Sequence, residues 1–238
     1  MQNSWYPNKK EELEELLDNF LIADLIKLHN IKRANGIIVP HAGYSYSGQV
    51  AAKAYPYIKG AKKAVILAPS HYFPIDGAVS HDAENWETPL GKIKITKNDF
   101  HKAILTDEHA IDNQVPFLQK MGVKEILPLV VGHVSLEKAR EIADRIADFE
   151  GVFVVSTDLS HFLPYDEAKI RDKQTIRIIE NLDLNKADKI DACGIYPLFI
   201  LMQLCKLKNW KPKLIEYKNS GDITGEKESV VGYASFVF

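Results

Sequence analysis

Four short apolar runs, each followed within a few residues by a histidine, constrain this chain more than any other feature of its sequence. They are Gly36-Ile37-Ile38-Val39, Ala64-Val65-Ile66-Leu67-Ala68-Pro69, Ile126-Leu127-Pro128-Leu129-Val130-Val131 and Val152-Phe153-Val154-Val155-Ser156. Such runs, rich in β-branched residues and bounded by turn formers, have no polar face and read as strands covered on both sides. The turns after them carry His41, His71, His133 and His161. Helical patterns lie between: Gln49 to Tyr55, Leu136 to Phe149 with Ser135 as its cap, and Tyr165 to Leu182. Strands alternating with helices predict an α/β fold, with a mixed, mostly parallel central sheet and helices on both faces. In an open sheet of this kind, ligands bind beyond the carboxyl ends of the strands. The largest pocket is therefore expected there, at the ends of the strands before His41, His71 and His161.

The other segments fit around that centre. Glu11 to Asn30 places Leu13, Leu16, Leu17, Phe20, Leu21, Ala23, Leu25 and Ile26 at helical spacing, as a helix covering the sheet would. Pro56 ends or kinks the second helix. Asp76 to Ser80 reads as a short strand, Trp86 to Gly91 as a turn, and Lys92 to Ile95 as a half-exposed strand. Asn98 or Asp99 is expected to cap a short helix holding Phe100 and Ile104. Glu108 to Leu118 reads as a helix started or interrupted near Pro116. Beyond the turn Asp191 to Gly194, Ile195 to Lys206 is apolar nearly all round, as a buried helix would be, and Cys205 within it reads as core. Leu214 to Tyr217 and Val230 to Phe238 close the chain as two strands. The loop between them is too short for a crossover helix, so they are expected to be antiparallel.

Length and charge narrow the function. The chain has 238 residues and no linker or low-complexity run, and reads as one domain over 1–238. A formal net charge of -2 gives nucleic acid no basic face to bind. No apolar run approaches a membrane span, and Met1 to Lys10 lacks the apolar core of a secretory signal. Two cysteines make no disulfide framework. The expected setting is cytoplasmic and reducing, with neither membrane nor nucleic acid as partner.

Neutral imidazole is the commonest protein ligand for transition metals, and a cluster of histidines at strand ends is where an α/β enzyme would collect ligands. Each histidine alone also has a plain structural reading. His133 is better explained as structural, and His81 and His101 lie in polar stretches that read as surface. Tyr44, Tyr46 and Tyr72 fit a pocket for a planar ligand or ordinary packing equally well.

Read together, six stretches become recognisable: Pro40-His41-Ala42-Gly43-Tyr44, Ala68-Pro69-Ser70-His71, Ser156-Thr157-Asp158-Leu159-Ser160-His161, Cys193-Gly194-Ile195-Tyr196-Pro197, and the closing pair Asn219 to Gly225 and Val230 to Ala234. In this order, over nearly the whole chain, they resemble the MEMO family, also called AmmeMemoRadiSam system protein B. The resemblance implies a fold shared with the class III extradiol dioxygenases, which are non-haem iron enzymes. It also implies a metal site of His41, His71 and Cys193, with His161 at the acid/base position, Asp158 beside it, and His109 in a His-x-x-acid motif. Asp112 stands where that motif usually has Glu.

The metal implied is Fe(II) or copper, with zinc as a further candidate. A cysteine in place of the usual carboxylate keeps one negative ligand but makes it soft, which favours copper(I). A thiolate in an open site would also be exposed to oxidation when the metal is absent. Three functions compete: metal-dependent redox or oxygen chemistry on an unknown small molecule, aromatic ones included; a metal-binding adaptor with a protein partner and no turnover; and, more weakly, a metal-assisted hydrolase.

Overall fold

All four apolar runs are strands, and they lie side by side. The computed structural model describes residues 5–25, 33–105 and 108–238, with side chains for all of these but 22–25. The first half of the chain forms α1 (Lys10–Leu25), β1 (Gly36–Val39), α2 (Tyr44–Ala52), β2 (Lys63–Pro69), β3 (Ala78–His81), β4 (Asn85–Thr88), β5 (Gly91–Ile95) and β6 (His101–Ala103). Then come α3 (His109–Asp112), α4 (Val115–Met121), β7 (Glu125–Val131), α5 (Leu136–Ile146), β8 (Val152–Ser156) and β9 (His161–Leu163). The last part forms α6 (Tyr165–Asn181), α7 (Ile195–Lys208), β10 (Lys213–Asn219), α8 (Ser220–Thr224) and β11 (Val230–Val237).

The strands make one sheet in the order β10-β11-β1-β8-β2-β7-β3-β6, with β4, β5 and β9 attached off this path. Its centre, β1-β8-β2-β7, is parallel throughout. The two closing strands pair antiparallel, as expected, and β11 joins them to β1. The arrangement is a single α/β domain consistent with the dioxygenase-like fold implied above.

Alternation along the central strands sends side chains into two cores. Ile37, Val39, Ala64, Ile66, Ala68 and Val154 pack with Leu13, Leu17 and Leu21 of α1 and Phe117 of α4. Ile38, Val65, Leu67, Phe153 and Val155 pack on the other face, with α5, α6 and α7. These strand residues are fully or almost fully buried on both faces. Burying each Val, Leu or Ile contributes about 1.5–3 kcal/mol, which is why the runs tolerate no polar residue. Ser135 caps α5 as expected, its Oγ accepting the Lys138 N–H at 3.1 Å.

Some expectations need correction. α1 ends at Leu25, and residues 26–30 of the expected helix lie outside the described residues. Trp86 is not in a turn but in β4, paired with Ile93 of β5, and the reversal falls at Pro89 and Leu90. No helix follows Asn98: its Oδ1 accepts the Phe100 N–H at 3.1 Å, and His101–Ala103 pairs parallel to β3. Local side-chain bonding of this kind makes Asn a turn former as readily as a cap. His101 is exposed, but His81 is buried, on β3.

On the outer side of β7 the sheet forks. β5 pairs with Glu125 and Ile126, while β3 pairs antiparallel with Leu129, Val130 and Val131. Pro128 sits between, paired with Ile66 of β2 on its inner side. The Ile126 carbonyl faces outward, accepting the Thr96 N–H at 2.7 Å. Residues two apart in a strand present their backbone groups to the same side, so Pro128 also faces the fork, where its lack of an N–H breaks no ladder.

Candidate metal centre

Because β1, β8, β2 and β7 are adjacent and parallel, their carboxyl ends line one edge. The residue two beyond each strand is His41, Asp158, His71 and His133 in turn. His161 comes later, as the first residue of β9, where it pairs with Val231. Three of the expected site residues converge on one point: a nitrogen of His41, a nitrogen of His71 and the sulfur of Cys193 lie within 4.8 Å of one another. His133 stays apart, exposed, with its ring edge-on to Tyr196 at 5.2 Å.

Hydrogen bonds fix which atoms face that point. The Ser156 hydroxyl gives its proton to the Ala110 carbonyl at 2.6 Å. It therefore accepts from His41 Nδ1 at 2.9 Å, and also from Gln114 Nε2 at 2.8 Å. With its proton on Nδ1, His41 turns the lone pair of Nε2 toward Cys193 Sγ, 3.3 Å away. His71 Nδ1 donates to Glu108 Oε1 at 2.8 Å, which leaves its Nε2 free in the same way. Carboxylate or carbonyl partners on the far nitrogen are the usual means of orienting a ligating imidazole.

Cys193 reaches the edge through a close approach of α7. A Cβ on Gly194 would lie 2.5 Å from Thr157 Cβ and 3.0 Å from the Ser156 carbonyl oxygen, so only glycine lets the helix start this near β8. The Gly194 N–H then donates to Thr157 Oγ1 at 2.9 Å, and the Asp158 N–H donates to Cys193 Sγ at 3.2 Å. Burial, with Asp158 beside it, pushes the Cys193 thiol well above the usual range. The reactive thiolate expected for the metal-free site is thus a protonated thiol in this environment. Burial, reinforced by the neighbouring His71, His109 and His161, holds His41 well below 6.5 and keeps it neutral.

Glu108 was not singled out from the sequence, where it read only as the opening of a helix. Its buried carboxylate accepts from His71 Nδ1, from the His71 backbone N–H at 2.9 Å and from the Ala110 N–H at 3.1 Å, which also caps α3. Its position beside His109 was the one available signal. His109 stacks on Trp5 at 4.2 Å, its Nδ1 is 3.0 Å from the Tyr72 hydroxyl, and its ring centre is 4.4 Å from that of His71. Burial and the proximity of His71 lower its pKa to about 4. Asp112 bonds the Trp86 indole at 2.8 Å and the Tyr6 hydroxyl at 2.7 Å. Asp158 accepts the His41 backbone N–H at 2.8 Å, and burial raises its pKa. No hydrogen bond links it to the His161 ring among the described residues. Of the tyrosines, Tyr44 is core, packed on Phe117, whereas Tyr46 and Tyr72 are exposed.

A cleft of about 730 Å³ opens at the fork beside β3 and β5, away from the edge where a pocket is expected. At the edge itself, Trp5 and Tyr72 pack against the clustered rings of His41, His71 and His109.

Two imidazoles with free Nε2 lone pairs and a thiol suit a first-row transition ion, so the residues present fit the metal that the resemblance implies. Among the described residues no helix is long and apolar enough to cross a membrane. A family profile described as "Memo-like protein" matches residues 2–237. A MEMO1 family protein of Aquifex aeolicus is 32% identical, covering 99% of this chain and 96% of its own. One of Aeropyrum pernix is 32% identical (97% and 95% covered), and one of Methanosarcina mazei is 32% identical (98% and 95% covered). On that evidence the chain belongs to the Memo-like protein family.

Proposed function

We propose that this chain holds a transition metal at His41, His71 and Cys193 and uses it for redox or oxygen chemistry on a small molecule. The observation that carries the reading is the convergence of those three donor atoms, with each imidazole held in the ligating tautomer. Bound there, iron or copper would supply a Lewis-acid and electron-transfer centre, and zinc the Lewis acid alone. The chain's own residues would do the rest. His161 would hold or release a proton on the substrate, a task suited to imidazole near neutral pH. Asp158 would fix the His41 backbone rather than the His161 ring. His109, neutral at pH 7, would offer its ring to substrate while Trp5 and Tyr72 hold it in place. A cytoplasmic setting and a single domain over 1–238 belong to this reading; both cysteines are free, and the family match runs nearly end to end.

A second reading, an adaptor that binds a protein partner without turnover, draws on Tyr72, Phe73 and Phe162. All three are exposed, and each follows closely on His71 or His161. Phe162 is also left-handed, with φ 59°, a conformation that a bulky residue adopts at a cost. Hydrolysis is the weakest of the three readings.

Anaerobic loading with Fe(II), Cu(I) or Zn(II), followed by oxygen uptake on a panel of phenols and catechols, separates them. His41→Ala should abolish stoichiometric metal binding while the circular dichroism stays native; metal content unchanged in that variant would refute the site. His161→Gln should keep metal affinity and lower turnover by roughly a hundredfold or more. Tight metal binding with no oxygen uptake on any substrate favours the adaptor, and ester hydrolysis with Zn(II) favours the hydrolase.

A further inference from the structure

The fork in the sheet builds a second site, away from the metal centre. Where β3 and β5 part, the chain segments 81–85 and 94–98 form the two sides of the cleft of about 730 Å³, with Lys102 also lining it. That volume is within the usual range for small-molecule sites, roughly 300–1,000 Å³.

Its inner lining is polar and under-bonded. His81 is 7% exposed, and its Nδ1 receives the Leu105 N–H at 3.1 Å. The same nitrogen lies 3.3 Å from the Ala103 carbonyl oxygen. The Thr96 hydroxyl is buried and has no hydrogen-bond partner among the described residues. Such unpaired groups are uncommon in native interiors, because each costs free energy until something bonds it.

Around this lining stand cations and carboxylates. Lys97 and Lys102 carry no ion pair among the described residues, while Lys94 lies 3.5 Å from Glu125. Asp82 and Glu84 line the same cleft and are likewise without an ion pair among the described residues. A plain anion would be attracted by the lysines but repelled by these carboxylates. A ligand that pairs an anionic end with several hydroxyls satisfies both, since carboxylates accept hydroxyl protons.

We propose that the fork cleft, lined by His81, Thr96, Lys97, Lys102, Asp82 and Glu84, binds a phosphorylated polyol of sugar-phosphate class. Lys97 and Lys102 take the phosphoryl group. Asp82 and Glu84 take hydroxyls, and Thr96 Oγ1 gains the partner that it lacks.

The test uses the full chain, ribose 5-phosphate as probe, and inorganic phosphate and ribose as its separate halves, read by amide NMR shifts. Ribose 5-phosphate should give saturable shifts at Thr96 and Leu105 and bind about tenfold or more tighter than either half, a difference of about 1.4 kcal/mol. The double variant Lys97→Ala, Lys102→Ala, exposed and remote from the metal centre, should lose at least that tenfold. Thr96→Val should raise the melting midpoint of the free protein by about 2 °C, as removal of an unpaired hydroxyl would, and still weaken binding. No saturable shift, inorganic phosphate binding as tightly as ribose 5-phosphate, or full affinity in the lysine double variant would each overturn the proposal.

Discussion

Glu108→Gln puts the proposed metal centre to its sharpest test. The Glu108 carboxylate is 4% exposed and takes three N–H groups: His71 Nδ1 at 2.8 Å, the His71 amide at 2.9 Å and the Ala110 amide at 3.1 Å. Glutamine keeps the volume but turns one oxygen into an NH2 group. If the remaining oxygen stays where His71 Nδ1 and Ala110 converge, the NH2 meets the His71 amide donor to donor. One bond is then lost and two lose their charge assistance. Charge-assisted bonds contribute about 1.5–3 kcal/mol and neutral ones about 1 kcal/mol, so the variant should lose about 2.5–7 kcal/mol of stability. For a chain of this length that corresponds to a drop of roughly 5–28 °C in melting midpoint. The metal effect is separate. Removing the carboxylate that orients a ligating histidine typically costs 10–100-fold in affinity, about 1.4–2.7 kcal/mol. Zn(II) competition against a chromophoric chelator, well below the melting midpoint, would measure it. Ser135→Ala is the control: it removes the α5 cap for about 1 kcal/mol and should leave the affinity unchanged. A folded Glu108→Gln protein that binds Zn(II) as tightly as its parent would refute the orienting role.

Three further outcomes follow from the same geometry. Gly194→Ala should cost about 1–3 kcal/mol and weaken metal binding, because its Cβ would push α7 and Cys193 away from Thr157; unchanged melting and affinity would mean that α7 can shift freely. Asp172 is fully buried, bonded to the Ser160 N–H and the Tyr217 hydroxyl, and burial raises its pKa above 3.8. The folded state thus holds its proton longer than the unfolded one, so this group's contribution is complete below pH 3.8 and is lost as pH rises through its folded pKa. Asp172→Asn should flatten that slope in urea melts without loss of stability at pH 7, and a marked loss there would show that the charge itself is needed. Metal binding should release about one proton, from the Cys193 thiol, since both histidines already present free nitrogens; calorimetry in buffers of different ionisation enthalpy would count it, and zero protons released would contradict a thiol donor.

The sequence made the parallel centre and its edge legible because both depend on local pattern. A two-sided apolar run has few readings, and a histidine two residues past it lands on the strand's carboxyl end. Residues whose role depends on distant partners were not legible. Glu108 accepts from His71, a separation of 37 positions, and Ser156 meets His41 across 115. Nothing within either stretch announces the other. Trp86 and Asn98 failed for a local reason, since a turn-forming neighbourhood also suits a hairpin edge. Asp112 shows how tertiary contact supplies the missing reason: where the family pattern has Glu, the shorter side chain here serves Trp86 and Tyr6.

Both proposed sites lie at margins of the sheet: the metal centre at the ends of β1, β8 and β2, the cleft between the segments that carry β3 and β5. One short element stands between them. α3 carries His109 at its start, with Glu108 as its cap, and Asp112 at its end. Asp112 holds the Trp86 indole, and the Trp86 ring packs edge-on against His81 in the cleft wall at 5.2 Å. A ligand that moved His81 would press on the same four residues that hold His71 through Glu108. Binding free energies are reciprocal, so any change that the cleft ligand makes in metal affinity must equal the change that the metal makes in the ligand's. Trp86→Phe cuts the Asp112 bond while leaving both sets of binding residues in place. It is therefore the variant in which such a linkage, once measured in the parent, has to shrink.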